Sequence, residues 1–113
     1  MTDLNPGRLA LSDPSLLREA NLVGGRWIQA RSGETITVLD PASGEVIGRV
    51  PSLSVPEVRA AIEAAHAAQK GWRSLTARER AVILRRLFDL MIENTEDLAR
   101  IMTAEQGKPL AEA

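Results

Sequence analysis

TARERAVILRRLFDLMIENTEDLARIMTAEQ, Thr76 to Gln106, followed by Gly107-Lys108-Pro109-Leu110, is the stretch from which the rest of the chain is read. Thr76-Ala77-Arg78-Glu79 has the form of a capping box, in which the threonine hydroxyl accepts from the glutamate amide and the glutamate carboxylate accepts from the threonine amide. A helix therefore opens at Thr76. Leu84, Leu87, Phe88 and Met91 recur at helical spacing and Val82, Ile83, Leu90 and Ile92 widen their stripe, while Arg78, Arg85, Arg86, Asp89 and Glu93 fall on the other side. Asn94 or Thr95 then caps a further helix whose first turn holds Glu96 and Asp97, acids suited to the positive end of the helix dipole. Leu98, Ile101 and Met102 are its predicted buried side. Gly107 supplies the left-handed residue that closes this helix, and Pro109 prevents its continuation. Lys108 lies near the last carbonyls, where a cation contributes about 0.3–1 kcal/mol. Pro109 can also open a new helix through Leu110-Ala111-Glu112-Ala113, so the polypeptide is expected to continue past Ala113.

Upstream, Ser54-Val55-Pro56-Glu57 is a second capping box. Val58, Ala61, Ile62, Ala65 and Trp72 follow at helical spacing, opposite Arg59, Glu63, His66 and Lys70, and Gly71 is expected to end or break this helix. Ile36-Thr37-Val38-Leu39 and Val46-Ile47-Gly48-Arg49-Val50 are β-branched runs joined by Asp40-Pro41-Ala42-Ser43-Gly44, a hairpin that Pro51 should terminate. Leu22-Val23 and Trp27-Ile28 flank Gly24-Gly25, which tolerates the positive φ angles of a tight hairpin turn. Residues 1–21 read as an arm: Asn5-Pro6-Gly7 is turn chemistry, and Ser12-Asp13-Pro14 can cap one or two turns. The order of short strands and then three amphipathic helices predicts an α/β or α+β arrangement. The strands are few, and their open edges imply partners beyond Ala113.

At 113 residues and 44% hydrophobic content the chain can build a core and is not a disordered tail. Its net charge of −1, with acids and bases interspersed, gives no broad attraction to nucleic acid or an anionic membrane. The sequence has no cysteine, which removes disulfides, thiolate metal sites and cysteine nucleophiles from these residues. The first residues lack a basic segment followed by an apolar one, and no run approaches the roughly 18 apolar residues of a membrane span, so a cytoplasmic location is expected.

Candidate chemistry is sparse. His66 is the single histidine and shares its helix face with Glu63 and Lys70, which reads as a solvated surface position. Arg73, Arg78, Arg80, Arg85 and Arg86 are interrupted by Glu79, Asp89 and Glu93, which reads as an ion-paired helix face rather than a phosphate or nucleic-acid site. Trp27 and Trp72 adjoin apolar runs and are expected in the core. Gly24-Gly25 and Ser43-Gly44 are turns, since neither GxGxxG nor GxxxxGK[ST] is present. Glu105 could act as a general base, but no partner for it is visible. No catalytic, cofactor-binding or metal-binding residue is assigned to this stretch.

Four segments, in order and spacing, resemble the NAD(P)-dependent aldehyde dehydrogenases. They are LVGGRWI (22–28), LDPASGEVIGRVP (39–51), AAHAAQKGWRSLTARERAVILRRLFDLM (64–91) and TAEQGKPLAEA (103–113). The last is especially similar to the succinate-semialdehyde branch. The resemblance implies an α/β fold in which residues 22–113 are the first part of a cofactor-binding domain, an incomplete Rossmann-like unit. It further implies a cysteine thiolate that attacks an aldehyde, hydride transfer to NAD or NADP, and hydrolysis of the thioester by a glutamate-activated water. The thiol, the PWN segment of the oxyanion asparagine and the dinucleotide-binding glycines are all absent here. The 113 residues alone are therefore expected to be inactive, with a structural role in a homo-oligomeric enzyme, a dimer or tetramer, acting on a small aldehyde. In relatives, the acid before the GKP segment and the backbone carbonyls of the strand matching Val38-Leu39 can form a monovalent-cation site, which the resemblance carries to Glu105. A rival of another class is a self-contained helical interaction module without catalytic activity. A reading frame that continues past Ala113 to a cysteine favours the enzyme, and a natural stop favours the module.

Overall fold

A computed structural model describes residues 9–113. The turn chemistry read at Asn5-Pro6-Gly7 lies outside the described residues. A short 3₁₀ turn (Pro14–Leu16) precedes two antiparallel hairpins, β1 (Asn21–Val23) with β2 (Arg26–Ile28), and β3 (Thr35–Leu39) with β4 (Val46–Pro51). Three helices follow: α1 (Val55–Ser74), α2 (Ala77–Glu93) and α3 (Thr95–Gln106). Each sheet has two strands, so among the described residues every strand has one open edge. The α/β arrangement of short hairpins and three amphipathic helices is the one expected.

Local signals set most of these elements. Gly24 and Gly25 have φ of 57° and 76°, and the tight turn pairs Val23 with Arg26 and Leu22 with Trp27. In the second hairpin Asp40 closes the turn: its Oδ1 accepts from the Ala42 amide at 2.8 Å and its carbonyl accepts from the Gly44 amide at 2.8 Å. The register runs from Thr35 opposite Pro51 to Leu39 opposite Val46, with a bulge between Val38 and Leu39. Pro51 is thus the last residue of β4 rather than the residue after it. A missing N–H is tolerated at a strand end. Ser52 takes up the ladder, donating its amide to Glu34 O at 2.8 Å.

Both capping boxes form. Ser54 Oγ accepts from the Glu57 amide, whose carboxylate accepts from the Ser54 amide, and Thr76 and Glu79 repeat the arrangement. Each such cap stabilises its helix by about 1 kcal/mol. Gly107 closes α3 at φ 82° and donates its amide to Thr103 O at 2.8 Å. After Pro109 one turn forms, with the Ala113 amide donating to Pro109 O.

Two expectations about helix ends fail, and Met102, expected on the buried side of α3, is exposed. Gly71 does not end α1, which runs on to Ser74 and stops where the Leu75 amide donates to Trp72 O. One interior glycine costs about 1 kcal/mol relative to alanine, too little to break a helix with good helix formers on both sides. Nor does Asn94 or Thr95 cap α3 by its side chain. Asn94 Nδ2 donates backward to Leu90 O at 2.8 Å, and Thr95 Oγ1 donates to Met91 O and Ile92 O. Both side chains satisfy the last carbonyls of α2, so α2 and α3 meet at Asn94 with no loop between them.

Burial is sparse among the described residues. Ala30, Ile47, Pro51, Asp97 and Ala99 are buried, and no large side chain among the described residues is fully enclosed. On α2 the stripe of Val82, Ile83, Leu84, Leu87, Phe88 and Met91 is exposed. The surface area is 8907 Å², against about 6,100 Å² for a compact monomer of 12.3 kDa. The radius of gyration, 17.0 Å, likewise exceeds the about 13 Å of a compact chain of this length. The helices are amphipathic in sequence, but their apolar faces are not gathered against one another.

Candidate functional site

β3, β4, α3 and the arm converge on a small cavity. Leu17, Arg18 and Glu19 of the arm line it, with Val38 of β3, Ile47 to Val50 of β4, and Glu105 near the end of α3. It encloses about 10 Å³, close to the room one water molecule needs. Glu105 and Val38 are thus brought together as expected, while Leu39 is not among the lining residues. Glu19 is a participant that sequence reasoning missed. Its Oε1 accepts from the Arg49 amide at 3.3 Å, and its backbone carbonyl accepts from Gln29 Nε2 at 2.9 Å. A β-carbon on Gly48 would lie 2.6 Å from Glu19 Oε1, so the glycine makes room for this carboxylate. Volume and carboxylates suit a single monovalent cation, whereas Arg18 and Arg49 on the same walls oppose one. Among the described residues no group of three or more His, Cys, Asp or Glu is placed to hold a metal ion.

A second junction joins the hairpins to the start of α1. Glu57 Oε1 accepts from the Ser54 amide and hydroxyl, and its Oε2 accepts from the Arg31 amide at 3.1 Å. The Ser54 amide, then the Arg31 amide and the Ser54 hydroxyl, hold this carboxyl below the usual carboxylate range. A groove of about 600 Å³ runs beside it, with Val23, Ile28, Pro56 and Ala60 on its walls. A third recess, of about 410 Å³, lies between the β3–β4 turn at Asp40 and the end of α3 at Thr103, Ala104 and Gly107.

The remaining candidates are scattered. His66 is exposed on α1, as expected. Arg85 pairs with Asp89 at 3.4 Å and Arg86 with Glu93 at 3.8 Å, while Arg73 and Arg78 are exposed. These ion pairs fit the reading of a solvated helix face. Arg80 differs, with a buried Nε that has no hydrogen-bond partner. Trp72 is half-buried, but Trp27 is 48% exposed and lies under the Arg18 guanidinium, 4.6 Å from the ring centroid. The expectation of a core Trp27 is therefore corrected. A cation–π contact holds a ring that apolar neighbours do not cover.

A dinucleotide is bound at the crevice of a parallel sheet, beside a glycine-rich turn into a helix. The described residues form two antiparallel ladders and no such turn. They do not by themselves fit NAD or NADP. Among them no helix is long and apolar enough to cross a membrane.

Comparison with known proteins accounts for this arrangement. Residues 27–113 match the model of the aldehyde dehydrogenase family. The chain belongs to that family. Over 105 residues it is 56% identical to a glutarate-semialdehyde dehydrogenase of Pseudomonas putida and 53% identical to an NADP(+) succinate-semialdehyde dehydrogenase of Escherichia coli. Each alignment covers 93% of this chain and 22% of the relative. An aldehyde dehydrogenase crystal structure from Brucella melitensis biovar abortus superposes with a TM-score of 0.88 at 60% identity, over 92% of this chain and 22% of that one. The chain thus spans about a fifth of the length of the relatives it matches, and the fold is that of their N-terminal part.

Proposed function

We propose that this chain is the N-terminal portion of an NAD(P)-dependent aldehyde dehydrogenase that oxidises succinate semialdehyde to succinate. Residues 1–21 are its arm, and residues 22–113 are the first part of the cofactor-binding domain. No residue of the stretch acts on the substrate: its hairpins and helices brace the rest of that domain. The observation that carries the substrate is the 53% identity to a succinate-semialdehyde dehydrogenase over 93% of the chain. The 56% identity to a glutarate-semialdehyde dehydrogenase supports the same substrate class, a short aldehyde ending in a carboxylate, one methylene longer. The exposed apolar face of α2 supports the bracing role, since a stripe of that width is ordinarily covered. The same reading carries a small-molecule substrate, a cytoplasmic location and a homo-oligomer, either dimer or tetramer.

The test is to express the complete reading frame and follow nicotinamide reduction with succinate and glutarate semialdehydes, using NAD and NADP separately. A higher kcat/KM for succinate semialdehyde is the expected result. Preference for the longer aldehyde would replace the substrate, and no reduction with either would remove the activity. The 113-residue chain alone should reduce neither cofactor and should melt broadly. A sharp cooperative melt with a monomeric scattering profile would instead favour a self-contained interaction module.

A further inference from the structure

We propose that residues 9–20 are a strap, latched by Asp97, that closes the cavity between the β3–β4 hairpin and α3. Asp97 is 5% exposed, the one charged side chain buried among the described residues. Its two oxygens are both committed to the arm: Oδ1 accepts from the Ser12 amide at 2.9 Å and Oδ2 from the Asp13 amide at 2.8 Å. A carboxylate that accepts from two consecutive backbone amides is a charge-assisted anchor, and it sits in the first turn of α3, where the helix dipole also favours its charge. The contact links positions more than eighty residues apart in sequence. It is therefore a tertiary tie and not a local cap.

From that latch the arm runs through the single 3₁₀ turn Pro14–Leu16, capped by Asp13, to a second attachment. There Glu19 fits the notch left by Gly48, accepts from the Arg49 amide, and accepts from Gln29 through its carbonyl. Arg18 stacks on Trp27. One end of the strap is thus tied to α3 and the other to both hairpins, with half-buried Leu16 and Leu17 between. Leu17, Arg18 and Glu19 form one wall of the cavity that holds Val38 and Glu105, so the latch at Asp97 and the tie at Glu19 together keep that wall in place.

The chemistry demands a carboxylate at position 97. Asparagine offers one acceptor and sets its own N–H₂ against the second amide, so Asp97→Asn should fail almost as completely as Asp97→Ala. Hydrogen exchange on the complete protein reads this directly. In D97N, amide exchange across residues 9–20 should rise at least about tenfold, and exchange at the Arg49 amide should rise with it, while α3 stays protected. Unchanged exchange in D97N would overturn the proposal. Should D97N unfold the protein, Ser12→Pro decides, because it deletes one of the two donors without touching α3. Opening of residues 9–20 alone supports the strap. Protection as in the wild type would mean that Asp97 merely stabilises its own helix.

Discussion

α2 and the corner around Asp97 were built by the same short-range rules and ended differently. α2 has a complete capping box, seventeen helical residues and a continuous apolar stripe, yet not one of its residues is buried. The corner has short strands, a single 3₁₀ turn and a helix with no side-chain cap, yet among the described residues it includes the buried Ile47, Asp97 and Ala99. The difference teaches that local chemistry settles which element forms, whereas burial depends on what lies across from it. Around Asp97 the opposite surface is provided by this chain. Opposite α2, among the described residues, it is not.

The largest effect should come from α2. Phe88→Ala in the complete protein is expected to cost about 3–5 kcal/mol by chemical denaturation, as for a buried aromatic. In the 113-residue chain, where Phe88 is 48% exposed, the same change should leave helix content by circular dichroism unaltered. Equal costs in both settings would break the contrast between the two regions.

Gly107→Ala comes next, on the other side of the comparison. Its φ of 82° costs a non-glycine residue about 1–2 kcal/mol, and the added methyl would stand 3.3 Å from Pro41 Cγ in the β3–β4 turn. Because the strain is local, a loss of that size should appear in the complete protein and should fray the end of α3 in the short chain as well.

The smallest effect is a pH dependence at Glu57. Its pKa is lowered in the folded state, chiefly by the Ser54 amide, so its contribution is fully present above the ordinary carboxylate range. It is lost as the pH falls through the lowered value. Glu57→Gln should remove that acid-side slope by lowering the melting temperature at neutral pH, while the variant and the wild type converge in acid.

Most of the fold was legible because its signals span four residues or fewer. Both capping boxes, the Gly24-Gly25 turn and the left-handed Gly107 are local patterns, and each formed as read. Gly71 misled because a break signal was weighed without the length of helix around it. Asn94 and Thr95 misled because the same side-chain types that cap a helix start can turn back to the carbonyls of the helix before. The meeting of Val38 with Glu105 was legible only through family resemblance. Nothing in the sequence pointed to Glu19 or to the latch at Asp97, because their partners are backbone amides, which every residue carries and no spacing marks. The aspartate looked like a dipole acid in a first turn, and the arm looked like a tail.

Asn94 alone separates Glu93, the last residue of α2, from Thr95, the first of α3. A joint of one residue makes α2 a lever: its seventeen residues span about 25 Å, so each 10° of rotation at Asn94 carries the Thr76 end through about 4 Å. The hinge is stiffened by two side chains gripping the carbonyls behind it, and trimming either grip would widen the arc through which the greasy stripe can sweep.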